Sequence, residues 1–204
     1  MVLSLGSATL RENGSGLDPY TAANIGIAHH VGLTLGLCQL ASNGVLFLIV
    51  VLTGRSRLGL GTVLNAVLVG FLVQWWSALL HPVLTSANND IARLAIFVAA
   101  ILVFAFGAAL YLGAGLGASP YDAVAPVIVD HTGWRYRPVR MMQDIVFLLI
   151  AIATGGPVGV GTIVTAFFSG PLIDFFTQRL VRPIVDHRTN HAHANTATQT
   201  DSKP

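Results

Sequence analysis

The chain has 204 residues, of which 53% are hydrophobic and 10% are charged, with a formal net charge of +2 at pH 7. Its mean hydropathy is +0.69. A soluble globular domain carries about 25% charged residues, so the composition excludes that class and indicates an integral membrane protein. The partner it implies is a lipid bilayer. Since so few residues are basic, we expect no nucleic-acid partner.

Five apolar segments are each close to the roughly 20 residues that a helix needs to cross a bilayer. They cover residues 36–53, 59–80, 91–113, 138–155 and 159–180. Each is expected to be a helix, because in lipid every backbone N–H and C=O must be paired within the segment. The sequence therefore predicts an all-α polytopic membrane protein.

One unit of sequence occurs twice. The segments "GLGTVLNAVLVG" (59–70) and "GVGTIVTAFFSG" (159–170) share five of twelve positions. Upstream, "GSGLDPYTAANIGIAHHVG" (14–32) aligns with "GLGASPYDAVAPVIVDHTG" (115–133), with Pro-Tyr in both copies. The expected organisation follows from this alignment. It consists of transmembrane repeat one (1–80), a polar connector (81–90), transmembrane repeat two (91–182) and a polar, disordered cytoplasmic tail (183–204).

Each repeat is predicted to contain a helix, a break at Gly-x-x-Pro-Tyr, a short helix and two longer helices, which gives three spanning helices. Because three is odd, the second repeat is expected to be inverted relative to the first. With the C-terminus in the cytoplasm, nine Lys and Arg residues lie inside and two, Arg11 and Arg93, lie outside. The basic loop "WRYRPVR" (134–140) also corresponds to the uncharged "LTLGLCQ" (33–39), as opposite orientations require.

The first helix does not fit the repeat. Gly107 follows the apolar stretch "IARLAIFVAAILVFAF", whereas the matching Gly6 has only five residues before it. Either the true start lies upstream of Met1, or the chain begins outside with five full spans. We therefore predict five full transmembrane helices and a truncated first helix.

These motifs resemble those of the bacterial YczE/YitT group of small integral membrane proteins. The resemblance rests on "GLGASPYD" (115–122), "SGLDPYT" (15–21), and the "GLGT" and "GVGT" segments, and it extends to about residue 182. It implies a multispan fold in the bacterial cytoplasmic membrane and no settled activity. Members of the group usually have a complete first helix, so the short N-terminus departs from the pattern.

The two breaks are the candidate ligand-binding site. Asp18 and Ser119 each precede a proline, which is a strong signal for a helix start. Helix starts inside a membrane present positive dipole ends to a ligand. The alternative is that the breaks lie at the membrane interface and only connect helices. The candidate ligand-binding residues are Asp18, Tyr20, Ser119, Tyr121 and Asp122.

The glycine segments predict close helix packing, because small residues at steps of three and four share one helix face. We expect these two helices to pack near the axis that relates the repeats, with a substrate path along this face as the alternative. The predicted packing residues are Gly59, Thr62, Ala66 and Gly70 in copy one, and Gly159, Thr162, Ala166 and Gly170 in copy two.

Few ionisable residues fall within the predicted spans. Asp144 lies four residues after Arg140, so the two are expected to pair on one helix face. Asp174 is expected to be an interfacial anchor, with a site role as the alternative. Asn43, at the position that matches Asp144, is expected to form an interhelical hydrogen bond.

No catalytic motif is present: the chain lacks HExxH, GxSxG, a phosphate-binding loop and a Cys/His cluster. We expect no enzyme activity, no cofactor and no metal site. The favoured hypothesis is a transporter or exporter of an unknown small molecule. The alternatives are a non-transporting accessory or regulatory membrane protein and a membrane subunit of a larger transporter. The sequence predicts no particular oligomeric state.

Overall fold

The computed structural model describes residues 1–54, 58–84, 89–181 and 183. These residues form eight α-helices, without a strand in the described ranges, so the all-α prediction is confirmed. The helices are α1 (Val2–Glu12), α2 (Pro19–Val31), α3 (Leu35–Thr53), α4 (Leu60–Leu84), α5 (Asp90–Gly113), α6 (Pro120–Thr132), α7 (Tyr136–Ala153) and α8 (Val160–Phe176), the last continuing as a π-helical turn (Thr177–Val181). The predicted disordered tail from residue 184 onward and the loop arginines Arg55 and Arg57 lie outside the described residues.

Four helices of the described chain are long and apolar enough to cross a membrane by length and composition. They are α3, α4, α5, and α8 with its π-helical turn. Helix α7, predicted as a span over 138–155, is not among them, since its 18 residues include Arg137, Arg140 and Asp144. Helix α4 runs to Leu84, four residues into the predicted connector, because the apolar sequence continues past residue 80.

The two copies of the repeated sequence form matching elements, with α1 to α4 corresponding to α5 to α8. The short helices α2 and α6 each have 13 residues and begin with a proline. Before them, Gly16 and Gly117 adopt φ angles of 91° and 105°. This conformation strains any residue with a Cβ, which explains why both breaks contain glycine at this point.

Helices α1 and α5 cross at two equivalent glycines. A Cβ added to Gly6 would lie 2.6 Å from the Cα of Phe104, and one added to Gly107 would lie 2.6 Å from the Cα of Leu3. Only glycine permits such an approach, so the backbones of α1 and α5 touch directly. Helix α1 is short, as predicted, and its 11 residues reach about 16 Å.

The expectation that α4 and α8 pack near the axis between the repeats is wrong. Helix α4 packs mainly against α1 and α3, and α8 packs mainly against α5. The glycine segments do mediate close approach, but the partner is the break of the opposite copy. The Gly61 N–H donates to the carbonyl of Leu116 at 2.8 Å, and the Gly161 N–H donates to the carbonyl of Ser15 at 2.6 Å.

Most of the predicted packing residues lie at these contacts. Thr62 and Thr162 are fully buried and Ala166 is 6% exposed, whereas Ala66 is half-buried. The Thr62 hydroxyl accepts from the Gly59 amide at 3.0 Å, and the Thr162 hydroxyl accepts from the Gly159 amide at 3.1 Å. A Cβ on Gly70 would lie 3.1 Å from the Cα of Gly36 in α3. Gly170 differs, since no other element of the described chain lies within 4 Å of its Cβ position, so the expected close approach is wrong there.

These contacts predict different outcomes for two glycines of the same segment. In Gly159→Ala the new Cβ collides with the carbonyl oxygen of Ser15, so we expect destabilisation by roughly 1–3 kcal/mol. In Gly170→Ala the Cβ meets no other described element, and the gain in helix propensity offsets the clash of a Cβ with the Pro171 ring, so we expect a net change below about 1 kcal/mol. Thermal unfolding of the purified protein in detergent measures both effects. Equal losses in the two variants would contradict the observed packing.

Candidate functional site

The short helices α2 and α6 begin in the interior of the molecule and face one cavity. The Asp18 side chain accepts from the Thr21 N–H at 2.9 Å and caps α2, while the Ser119 hydroxyl accepts from the Asp122 N–H at 3.0 Å and caps α6. Both helix starts therefore have the caps that the sequence predicts. They also lie close together, since the rings of Tyr20 and Tyr121, one residue after each proline, have centroids 4.5 Å apart.

The two tyrosine hydroxyls reach equivalent positions on neighbouring helices. The Tyr20 hydroxyl donates to Oδ1 of Asn43 at 2.7 Å, and the Tyr121 hydroxyl donates to the carboxylate of Asp144. Asn43 lies near the middle of α3 and Asp144 near the middle of α7. The two helix starts are therefore level with the centres of these long helices, not with their ends.

Asn43 also forms the expected interhelical hydrogen bond. Its Nδ2 donates to the backbone carbonyl of Ala66 at 3.1 Å, which links α3 to α4. The side chain thus has a partner for each end of its amide. This leaves the Tyr20 hydroxyl held in one orientation at the cavity.

A cluster of charges lies on the copy-two side of the cavity. The Arg140 guanidinium contacts Oδ1 of Asp122 at 2.7 Å and Oδ2 of Asp144 at 3.5 Å, so the predicted Arg140–Asp144 pair is present. The shorter contact, with Asp122 of the break, did not follow from sequence spacing. The guanidinium carbon also lies 4.6 Å from the centre of the Tyr121 ring, within the range of a cation–π interaction. The buried charges are thus paired with one another, as an apolar surrounding requires.

On the copy-one side of the cavity, a neutral side chain stands at the position of the copy-two guanidinium. Gln39 occupies the position that matches Arg140, is 2% exposed, and its Oε1 has no hydrogen-bond partner among the described residues. The Asp18 carboxylate accepts from the Thr21 amide and, at 3.3 Å, from the Ser7 hydroxyl. Both donors are neutral. No Lys or Arg in the described part of the chain lies within ion-pair distance of Asp18.

The cavity between these groups has a volume of about 70 Å³. All five predicted ligand-binding residues line it, namely Asp18, Tyr20, Ser119, Tyr121 and Asp122. Pockets for drug-sized ligands measure about 300–1,000 Å³, so this cavity accommodates only a group of a few atoms. Its polar lining in an otherwise apolar bundle is typical of a binding site in a membrane protein.

Sequence reasoning did not assign eight further polar residues to the cavity, among them Gln39, Asn43, Arg140 and Asp144. The repeat alignment carried the signal, because it pairs position 39 with 140 and position 43 with 144. Polar side chains therefore occur at both members of each matching pair, within apolar helices. The sequence-based prediction paired Arg140 with Asp144 along one helix and did not consider partners across the cavity.

The fold and the buried polar cavity together define a multi-pass, all-helical membrane protein. The chain belongs to a family of unknown function, DUF6198, whose model matches residues 1–178. This places it among the proteins whose motifs it resembles.

Three relatives are similar over most of their length. The uncharacterized membrane protein YczE of Bacillus subtilis is 30% identical over 176 residues, which are 86% of this chain and 80% of that protein. The uncharacterized protein YyaS of the same organism is 26% identical over 177 residues, 86% of this chain and 87% of that protein. An uncharacterized protein of Haemophilus influenzae is 30% identical over 182 residues, 89% and 81% of the two chains. The resemblance to the YczE group is thereby confirmed. No solved structure matches the chain.

The charge cluster predicts a stability effect. Arg140→Gln leaves two carboxylates without their cation, and we expect a loss of roughly 3 kcal/mol, near the lower end for buried pairs, because Arg140 and Asp122 remain 18% and 21% exposed. Thermal unfolding in detergent measures it. The double variant Arg140→Gln/Asp122→Asn removes a charge together with its partner and should recover part of the loss. A double variant that loses the sum of the two single effects would show that the two side chains are not coupled.

Proposed function

We propose that the protein is a transporter or exporter of a small molecule in the bacterial cytoplasmic membrane, built on two inverted three-helix repeats. The observation that supports this most directly is the meeting of two matched helix starts at one polar cavity, level with the middle of α3 and α7. Charged side chains inside a membrane protein are costly and normally lie on a substrate path or in a binding site. Helix starts at the midplane between repeats are the usual position of such sites in transporters.

The contacts between the copies support the inverted arrangement. The break of copy one contacts α8 through Ser15 and Gly161, and the break of copy two contacts α4 through Leu116 and Gly61. Reciprocal contacts of this kind arise when a two-fold axis relates two units. Helices α1 and α5 also run in opposite directions, since Leu3 lies beside Gly107 while Leu10 packs with Ala100.

The same proposal treats α7 as the fifth full span. Its charged residues Arg140 and Asp144 line the cavity, so they are shielded from lipid. The outward face is apolar, with Val146 50%, Leu149 60% and Ile152 59% exposed. Helix α1 remains the truncated first helix. The excess of basic residues in the loops on one side supports a cytoplasmic C-terminus.

The inverted arrangement predicts that two matched residues face opposite sides of the membrane. His30 and His131 are exposed near the C-terminal ends of α2 and α6. We replace each with cysteine in a Cys38→Ala background, which removes the single native thiol. A membrane-impermeant maleimide should label His30→Cys in intact cells and His131→Cys only after permeabilisation. Labelling of both from the same side would exclude inversion of the repeats.

Transport predicts that the cavity opens to each side of the membrane in turn. Ser119 lines the cavity and is 4% exposed, so Ser119→Cys in the same background should react slowly with a small impermeant thiol reagent. We expect reaction in both right-side-out and inside-out vesicles. As a control, Val73→Cys lies in the apolar core, where Val73 is 0% exposed, and should react in neither. Reaction of Ser119→Cys from one side alone would favour the accessory or regulatory alternative.

The proposed activity consists of binding and movement of a solute. It involves no enzyme reaction and no cofactor, because the cavity residues act through charge, hydrogen bonding and aromatic contact. A role as the membrane subunit of a larger transporter would use the same cavity and the same opening to both sides.

A further inference from the structure

The two copies place different charges at equivalent positions around the cavity. In copy two, the Arg140 guanidinium contacts the Asp122 carboxylate at 2.7 Å and lies 4.6 Å from the centre of the Tyr121 ring. This arrangement shows how the cavity holds a cation, with a carboxylate as counter-ion and an aromatic ring beside it.

Copy one also has an aromatic ring and a carboxylate at its break, although that carboxylate, Asp18, lies at the position that matches Ser119 and not Asp122. Tyr20 matches Tyr121, and Gln39 stands where copy two has Arg140. Gln39 is 2% exposed, lines the cavity, and leaves its carbonyl oxygen Oε1 without a donor in the described residues. A buried acceptor without a partner is unfavourable, so a ligand that donates a hydrogen bond to it gains affinity.

The sum of charges indicates the sign of that ligand. Three carboxylates line the cavity, those of Asp18, Asp122 and Asp144, against one guanidinium. With all four groups ionised, the formal charge of the cavity is −2. Asp122 and Asp144 contact Arg140 directly, whereas the donors to Asp18, Thr21 and Ser7, are neutral, and Arg140 acts on Asp18 only from beyond ion-pair distance. Excess negative charge in an apolar interior attracts a cation and repels an anion.

We propose that this cavity binds a small organic cation, with an ammonium or guanidinium head group between Asp18 and Gln39 and beside Tyr20. The inference rests on the proposed function, since it names the substrate class of the same site. The head group donates to the Gln39 carbonyl and to the Asp18 carboxylate, and so takes the position that Arg140 occupies in the other copy. The cavity volume of about 70 Å³ limits the enclosed part to a few heavy atoms.

The test uses the purified full chain in detergent and isothermal titration calorimetry. Methylammonium and methylguanidinium are the probes. Acetamide is the neutral control of similar size, acetate is the anionic control, and potassium chloride at the same ionic strength is the inorganic control. We expect saturable binding of the two organic cations alone. Equal binding of potassium, acetamide or acetate would overturn the proposal.

Substitution of Gln39 by arginine places in the site a cation that competes with the ligand. Gln39→Arg supplies a guanidinium from the chain itself, so we expect it to weaken binding of both cations by roughly tenfold or more and to raise the melting temperature. Gln39→Met, of similar size, removes the carbonyl and should weaken binding of both cations even where it raises the melting temperature, because an unpartnered buried acceptor is lost. Asp18→Asn removes the counter-ion and should also weaken binding by roughly tenfold or more. Unchanged affinity in Asp18→Asn and Gln39→Met would place the cation elsewhere and overturn the proposal, even if Gln39→Arg does not fold.

The outcome can be separated from that of the proposed function. If Ser119→Cys reacts from both sides but neither organic cation binds, the transporter proposal stands and the cation proposal is overturned. If the cations bind with the expected dependence on Asp18 and Gln39 but Ser119→Cys reacts from one side, the cation site stands and the protein is not a transporter.

Discussion

The two breaks can exist inside an apolar bundle because their backbone groups have hydrogen-bond partners in the opposite copy. A chain that leaves helical geometry in an apolar environment exposes N–H and C=O groups, and each unsatisfied group costs several kcal/mol. The carbonyls of Ser15 and Leu116 accept from the glycine amides at the starts of α8 and α4. A side chain on Gly59 or Gly159 would collide with these carbonyls. The glycine segments therefore make the breaks possible, and the breaks in turn create the cavity.

The cavity combines two ways of keeping polar groups inside such a bundle. In copy two, Arg140 contacts the carboxylates of Asp122 and Asp144, and the Tyr121 hydroxyl donates to Asp144. In copy one, the Tyr20 hydroxyl is satisfied by the neutral amide of Asn43. The aromatic rings lie between the two sets, in contact with each other and both edge-on to Phe147. Most of the partner groups are thus anchored on long helices, and the breaks supply the caps, the rings and the Asp122 carboxylate.

Sequence reasoning was most successful where hydrophobic length decides the structure. The predicted spans 36–53 and 91–113 differ by one residue or less at each end from α3 (Leu35–Thr53) and α5 (Asp90–Gly113). The capped helix starts at Pro19 and Pro120 also follow from local chemistry, since a capping residue followed by proline acts within one turn. All five predicted ligand-binding residues line the cavity, because they lie at the caps and in the first turns of these two helices.

The parts that sequence reasoning missed depend on contacts between distant residues. A row of small residues indicates that another backbone approaches, but it does not identify that backbone, so the expectation that α4 and α8 pack near the axis between the repeats was wrong. Gly170 occupies the position that matches the packing glycine Gly70, and yet no other described element lies within 4 Å of its Cβ position. Arg140 was assigned to its own helix because Asp144 lies four residues away, whereas its shorter contact is with Asp122 in the preceding break. Periodicity describes one helix at a time and cannot provide such contacts.

The pairing of Gln39 with Arg140 shows what duplication within one chain makes possible. If the same fold were assembled from two identical single-repeat subunits, symmetry would place either two arginines or two glutamines at the cavity. Two arginines would bring like charges together, and two glutamines would leave the carboxylates without any cation. A fused pair of repeats can keep a common backbone while one half evolves a permanent charge and the other stays neutral. The central site can thus carry a permanent positive charge in one half and a neutral side chain in the other, although its framework is nearly symmetric.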